Sequence, residues 1–389
     1  MSNIKSIDKE YVAGTYGRFD LVLTHGQGST VWDEDGKQYV DLATGIAVNT
    51  FGAADAGWLS AVTQQAGKLA HASNLYYTGP CAELAAALCE RTGMKKVFFS
   101  NSGAESNECM IKGARRHALL HRGEGHSTII TLRQSFHGRT VTTLAATGQD
   151  HFHTEFGPFT EGFVYATAGD LEEMKALVAE HEPAGIMIEL VQGEGGVIAL
   201  DPDYVRGLRR LCDETGTLLL IDEVQTGNGR TGSLYAWQAY GVTPDIFSTA
   251  KGLAGGLPLG ATLFSEATED ALIAGTHGST FGGNPICCAG ALSVIGRLDD
   301  EFLAGVRTRA EFIRKELSGA KGVADISGLG LMIGIEPAGK TAKEIIAACM
   351  ERGVLVLSAK SRVRLLPPLN IDEKLLAEAI GILKEVLAQ

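Results

Sequence analysis

The stretch Leu218-Leu219-Leu220-Ile221-Asp222-Glu223-Val224-Gln225 decides how this chain is read. Four apolar residues run without a break and end in two carboxylates. Such a run needs cover on both faces, which predicts a buried strand of a parallel sheet. The carboxylates then stand at the strand's carboxyl end, where open α/β sheets bind their ligands. A second run, Asp245-Ile246-Phe247-Ser248-Thr249-Ala250-Lys251, carries an amine to another strand end, and Gly252, Gly255, Gly256 and Gly260 follow it.

An anion and an amine at neighbouring strand ends match what pyridoxal phosphate requires. Its aldehyde condenses with a lysine, and its ring nitrogen must stay protonated beside an anion to act as an electron sink.

Residues 1–20 read as a partly ordered arm. Ser29–Trp32 and Gln38–Asp41 read as a hairpin about the Asp35-Gly36 turn. Helical patterns cover 83–91, 104–120, 171–180 and 204–215, and strand patterns cover 96–100, 128–132 and 184–189. Strands alternating with helices from about 95 to 265 imply a doubly wound, mostly parallel sheet. From about 290 the pattern changes to long helices with short strands at 331–335 and 354–357 and a final helix from Glu373. The expected architecture is α/β: a large domain over 61–289, and a smaller α+β domain made of 1–60 and 290–389.

Bulk properties narrow the function. The 389 residues carry a net charge of −12, which argues against a nucleic-acid partner. The polar N-terminus holds no apolar signal segment, and no run approaches the ~20 apolar residues of a membrane span. Seven cysteines without a framework of spacings suit a reducing cytosol, so a cytoplasmic location is expected. No C-x-x-C pair points to a metal. Gly227-Asn228-Gly229-Arg230-Thr231-Gly232 matches a dinucleotide-binding pattern, but Asp245 lies 13 residues past its last glycine, not near ~20.

The run from Leu220 to Gly256 resembles the signature of the class III aminotransferases, and the resemblance extends over nearly the whole chain. It implies a fold-type I, pyridoxal-phosphate-dependent enzyme with its active site between the two domains. Lys251 is then the lysine that condenses with the cofactor and shuttles a proton; taken alone it reads as a surface lysine. Asp222 pairs with the ring nitrogen, and Gln225 contacts the ring hydroxyl. Glu223 has no derivable role beyond a salt bridge. Ser102, Gly103 and Ala104 would receive the phosphate where a strand turns into a helix; without the resemblance Ser102 is a plain helix cap. Ala104 stands where the family usually has threonine, and Gly52–Gly57 replaces a glycine- and histidine-rich stretch. Phe136 resembles the aromatic stacked on the ring, though aromatics mostly pack cores.

On the substrate side, Arg139 resembles the arginine that binds a carboxylate remote from the reacting amine. Glu194 resembles the glutamate that masks a second arginine, Arg364, while the first substrate is bound; the plainer reading is a salt bridge between domains. In His277-Gly278-Ser279-Thr280, Thr280 would reach the phosphate of the neighbouring subunit in a homodimer, and Ser279 would touch substrate. The resemblance implies a ping-pong transamination from an ω-amine, N-acetylornithine first, to 2-oxoglutarate. Succinylornithine, ornithine, 4-aminobutyrate or a lysine-pathway intermediate would suit the same residues. A decarboxylase, racemase or aminomutase fits less well, because a masked second arginine serves two alternating carboxylic substrates. A noncatalytic interaction protein is disfavoured by the intact Lys251 and Asp222.

Overall fold

The computed structural model describes residues 4–389. Its centre is a seven-stranded sheet. In spatial order the strands are Lys96–Ser100, Gly260–Phe264, Ile246–Thr249, Leu218–Asp222, Gly185–Glu189, Ile129–Leu132 and Phe163–Ala166. Gly260–Phe264 runs against both of its neighbours, and the other pairings are parallel.

Alternate residues of the pivotal strand serve different cores. Leu219 and Ile221 pack with Ile186, Ile188 and Phe247, and with Met174, Val205 and Leu208 of the helices Leu171–His181 and Pro202–Thr215. Leu218 and Leu220 pack with Met187 and Ile246, under Met110, Ile111 and Ala114 of the helix Gly103–Arg122. The sheet is therefore covered on both faces, as the unbroken apolar run requires. Each such side chain contributes about 1.5–3 kcal/mol on burial. Asp222 continues the Leu218/Leu220 side, because side chains alternate along a strand. So does Glu189, its direct register partner on the next strand.

Two smaller sheets complete the fold. Val323–Leu329, Met332–Pro337, Arg362–Leu365 and Leu357–Ala359 form one, in that spatial order. Leu23–Gln27, Thr30–Asp33 and Gln38–Asp41 form the other, joined by Val354–Leu355 in parallel to Gln38–Asp41. The expected hairpin is present, with Leu23–Gln27 added in front of it. The single strand expected at 354–357 is split at Val356: its first part pairs with the N-terminal hairpin, its second with Arg362–Leu365. In the arm, Ile4–Tyr11 is helical and has no buried residue, while residues 1–3 of the arm lie outside the described range.

Candidate active site

Asp222 ends its strand buried, at 4% exposure. A carboxylate there is costly unless donors meet it, and three do. The amide of Val224 donates to Oδ1 at 2.9 Å. Asn107 Nδ2 donates to Oδ2 at 2.7 Å, and His137 Nδ1 lies 2.8 Å from the same oxygen. A carboxylate oxygen only accepts, which assigns the proton to His137 Nδ1. Ser248 donates to Asn107 Oδ1 at 2.6 Å and so fixes that amide's orientation.

Lys251 follows the neighbouring strand Ile246–Thr249 and opens a short 3-10 turn. Its φ of 46° is a left-handed conformation that a side-chain-bearing residue adopts at some cost in strain. The flanks hold it there: Asn228 Nδ2 donates to the Ala250 carbonyl at 3.0 Å, and Thr50 Oγ1 to the Gly252 carbonyl at 2.7 Å. Burial lowers the Lys251 pKa and Arg364 pushes the same way, against Glu194, Asp222 and Glu189.

The helix Gly103–Arg122 begins at the Ser102 cap, whose hydroxyl accepts from the Glu105 amide at 3.2 Å. First-turn amides such as those of Gly103 and Ala104 have no acceptor within a helix, which makes this end a seat for an anion. Gly103 is required by packing: a Cβ there would lie 2.6 Å from Val224 Cγ1. Ser279 is tied to the same turn, since Asn101 Nδ2 donates to its hydroxyl at 3.0 Å. Thr280 beside it is exposed.

Arg364 is buried on the strand Arg362–Leu365. Its Nη1 lies 2.6 Å from Glu194 Oε1 and 3.2 Å from Gln225 Oε1. Burial works to raise the Glu194 pKa, but the charge and hydrogen bond of Arg364 outweigh it, and the net shift is downward. Gly193 leaves room for Gln225: a Cβ there would fall 2.7 Å from its Nε2. The Phe136 amide donates to Glu189 Oε2 at 2.9 Å. Arg139 is exposed, and its guanidinium lies 4.1 Å over the Phe152 ring and 5.5 Å from the Phe136 ring.

The structure thus gathers Asp222, Lys251, Gln225, Glu194 and Arg364 around one set of strand ends. Ser102, Gly103 and Ala104 open the helix that carries Asn107. Phe136 is tied in through Glu189, and Arg139 lies beside it at the surface. Asn107, His137 and Glu189 went unread in the sequence. For Asn107 the available signal was a polar residue on the helix face that Met110 and Ile111 bury. The residues suit pyridoxal phosphate: a buried carboxylate held by three donors, a half-buried lysine one strand away, and a helix start that a single methyl group at position 103 would obstruct.

Glu223 corrects an expectation. No ion pair holds it among the described residues. It is fully buried, with Thr226 Oγ1 donating to one oxygen at 2.5 Å and the Trp237 amide to the other at 2.8 Å. The strand's alternation turns it away from Asp222, and neutral donors replaced the expected cation. Burial raises its pKa from 4.5 to about 7 against those hydrogen bonds. The folded state therefore holds the extra proton. This contribution to stability is complete below the unfolded value and is lost as pH rises through about 7. The unfolding free energy from urea titrations should fall over that interval by an amount on the order of 3 kcal/mol. Glu223→Gln should flatten the fall, and parallel profiles for the two proteins would refute the assignment.

The dinucleotide-like loop has a packing role. A Cβ at Gly229 would meet Leu298, Leu303 and Leu369 at 3.0–3.3 Å, and buried Arg230 donates to the carbonyls of Leu331 and Pro367.

The family model of the class-III aminotransferases matches residues 11–387, and the chain belongs to that family. Its cofactor is pyridoxal 5′-phosphate. The acetylornithine aminotransferase of Haemophilus ducreyi is 49% identical over 387 residues, covering 99% of this chain and 98% of the relative. The structure of N-acetylornithine aminotransferase from Stenotrophomonas maltophilia is 33% identical with a TM-score of 0.85, covering 98% of each chain. Ornithine aminotransferase from Toxoplasma gondii, solved with partial occupancy of PLP at its active site, is 29% identical with a TM-score of 0.93, covering 99% of this chain and 94% of that one.

Proposed function

We propose that this chain transfers the ω-amino group of N2-acetylornithine to 2-oxoglutarate, giving N-acetylglutamate 5-semialdehyde and glutamate, a step of arginine biosynthesis. The observation that carries the reading is the Glu194–Arg364 pair at 2.6 Å beside Lys251, because it offers a carboxylate site that can be closed and opened. The relatives' names supply the donor.

Bound pyridoxal phosphate supplies the electron sink for the carbon that carries the amine. Ser102, Gly103 and Ala104 would hold its phosphate, Asp222 its ring nitrogen, Gln225 its ring hydroxyl and Phe136 its ring face. Lys251 Nζ accepts the proton from the amine-bearing carbon and returns it, a task helped by a pKa depressed through burial. Arg139 holds the donor's distant carboxylate and so selects the ω-amine as the reacting end. Glu194 covers Arg364 while the donor is bound. When Glu194 swings away, Arg364 binds the second carboxylate of 2-oxoglutarate.

The same reading makes the working unit a homodimer. Leu75, Tyr76, Tyr77 and Phe281 are 85%, 72%, 106% and 60% exposed beside Ser279 and Thr280, apolar surface that a second copy would cover. Thr280 then serves the partner's phosphate site, and Ser279 lies near substrate. The division into 1–60 with 290–389 and 61–289 is kept, supported by the pairing of Val354–Leu355 with Gln38–Asp41. No helix among the described residues is long and apolar enough to cross a membrane.

A panel of amine donors against 2-oxoglutarate tests the substrate. The expected order in kcat/KM puts acetylornithine at least about tenfold above ornithine and 4-aminobutyrate, roughly 1.4 kcal/mol of transition-state discrimination. A preference for 4-aminobutyrate would overturn the assignment.

A further inference from the structure

Glu189 is a buried carboxyl group to which the reaction above gives no role. It ends the strand Gly185–Glu189 as Asp222 ends its neighbour, and the two are direct partners in parallel register. Adjacent strands lie ~4.8 Å apart, and register partners in a parallel pair share a face. Two carboxyl groups therefore stand side by side in a water-poor place, where burial and the like charge of Asp222 both disfavour an ionised Glu189. Their partners divide the roles. Asp222 accepts three hydrogen bonds, from the Val224 amide, Asn107 and His137. Glu189 accepts from the Phe136 amide alone, and no ion pair holds it among the described residues.

We infer that Glu189 is a positioning residue carried as an un-ionised carboxylic acid at working pH: it anchors the backbone of Phe136 and leaves Asp222 as the anion that meets the cofactor ring. The charged groups that face it are Asp222 on the adjacent strand, Lys251 beyond the next strand, and Glu194 on the loop that follows its own strand. Burial first, then the Asp222 charge, hold its pKa well above the usual carboxyl range, against the Phe136 amide and Lys251. The inference deepens the proposed site and rests on the roles given there to Asp222 and Phe136. The protonation of Glu189, however, can be read without any cofactor.

The experiment compares full-length wild type with Glu189→Gln by difference infrared spectroscopy at neutral pH, with and without pyridoxal phosphate. The expected result is a carbonyl stretch of an un-ionised carboxyl group that the substitution removes in both states. In the same pair, the pH midpoint of the bound cofactor's absorption should move by less than about 0.3 unit, because no charge has been deleted. Loss of a carboxylate band instead, with a midpoint shift of about one unit or more, would overturn the proposal. Glu189→Leu removes the acceptor and should weaken pyridoxal phosphate binding about tenfold, the consequence of a buried amide left unpaired. Affinity unchanged within about twofold would show that Glu189 positions nothing. Should the leucine variant fail to fold, the infrared band of the glutamine variant decides alone. If the protein bound no cofactor, the proposed site would fail while the apoprotein band still reported on Glu189.

Discussion

Lys251→Ala is expected to lower kcat for transamination by about 10²–10⁴-fold or more, the range that a positioned proton-transfer group supplies. Both half-reactions should suffer alike, since both move a proton at the same carbon. Lys251 is fixed by a left-handed backbone and by bonds to the residues on either side of it, so the amine is aimed by the fold rather than by its own flexible stem. Lys251→Arg keeps the positive charge but should not rescue the rate, because a guanidinium does not give up its proton near neutral pH. Single-turnover absorbance changes with glutamate and with acetylornithine check this. A loss of less than about tenfold in either half-reaction would remove Lys251 from the proton path.

The second large effect concerns the gate. Arg364→Ala should cost the glutamate/2-oxoglutarate half-reaction about 10²–10⁴-fold in kcat/KM, from two charge-assisted hydrogen bonds of roughly 1.5–3 kcal/mol each. Glu194→Ala should do the reverse. It leaves Arg364 uncovered, so the glutamate half should change less than about threefold while the acetylornithine half falls about ten- to a hundredfold. The buried pair is costly to break from one side, because the remaining charge has lost its partner. Gln225 stays at 3.2 Å from Arg364 and moderates that loss. Half-reactions measured separately by stopped flow decide the matter. Equal losses in both halves of the Glu194 variant would reduce the pair to a structural salt bridge.

Much of this site was legible in the sequence because its main residues end apolar runs. Leu218–Ile221 pointed to Asp222, and Ile246–Phe247 pointed along to Lys251. The same signal was present at Glu189, which ends Gly185–Ile188, yet its neighbour Asp222 becomes known only through strand register, a property of the folded sheet. His137 and Asn107 were hidden for the same reason: they meet Asp222 across 85 and 115 residues of chain. Gly260–Phe264 was foreseen neither as a strand nor as the antiparallel member, since periodicity carries no direction. Val323–Leu329 and Arg362–Leu365 were missed because Asp325, Ser327, Arg362 and Arg364 interrupt their apolar pattern, although Arg364 is buried once Glu194 meets it. Glu223 was misjudged because a carboxylate at a strand end invites a cation, whereas a hydroxyl and an amide sufficed.

Everything proposed for this site requires a covalent bond between Lys251 and the cofactor. Borohydride reduction of the purified holoprotein, followed by peptide mapping, measures that bond directly. The predicted result is the reduced cofactor's mass on Lys251 and absent from the other lysines. Label on a different lysine, or cofactor released with the protein unmodified, would contradict it.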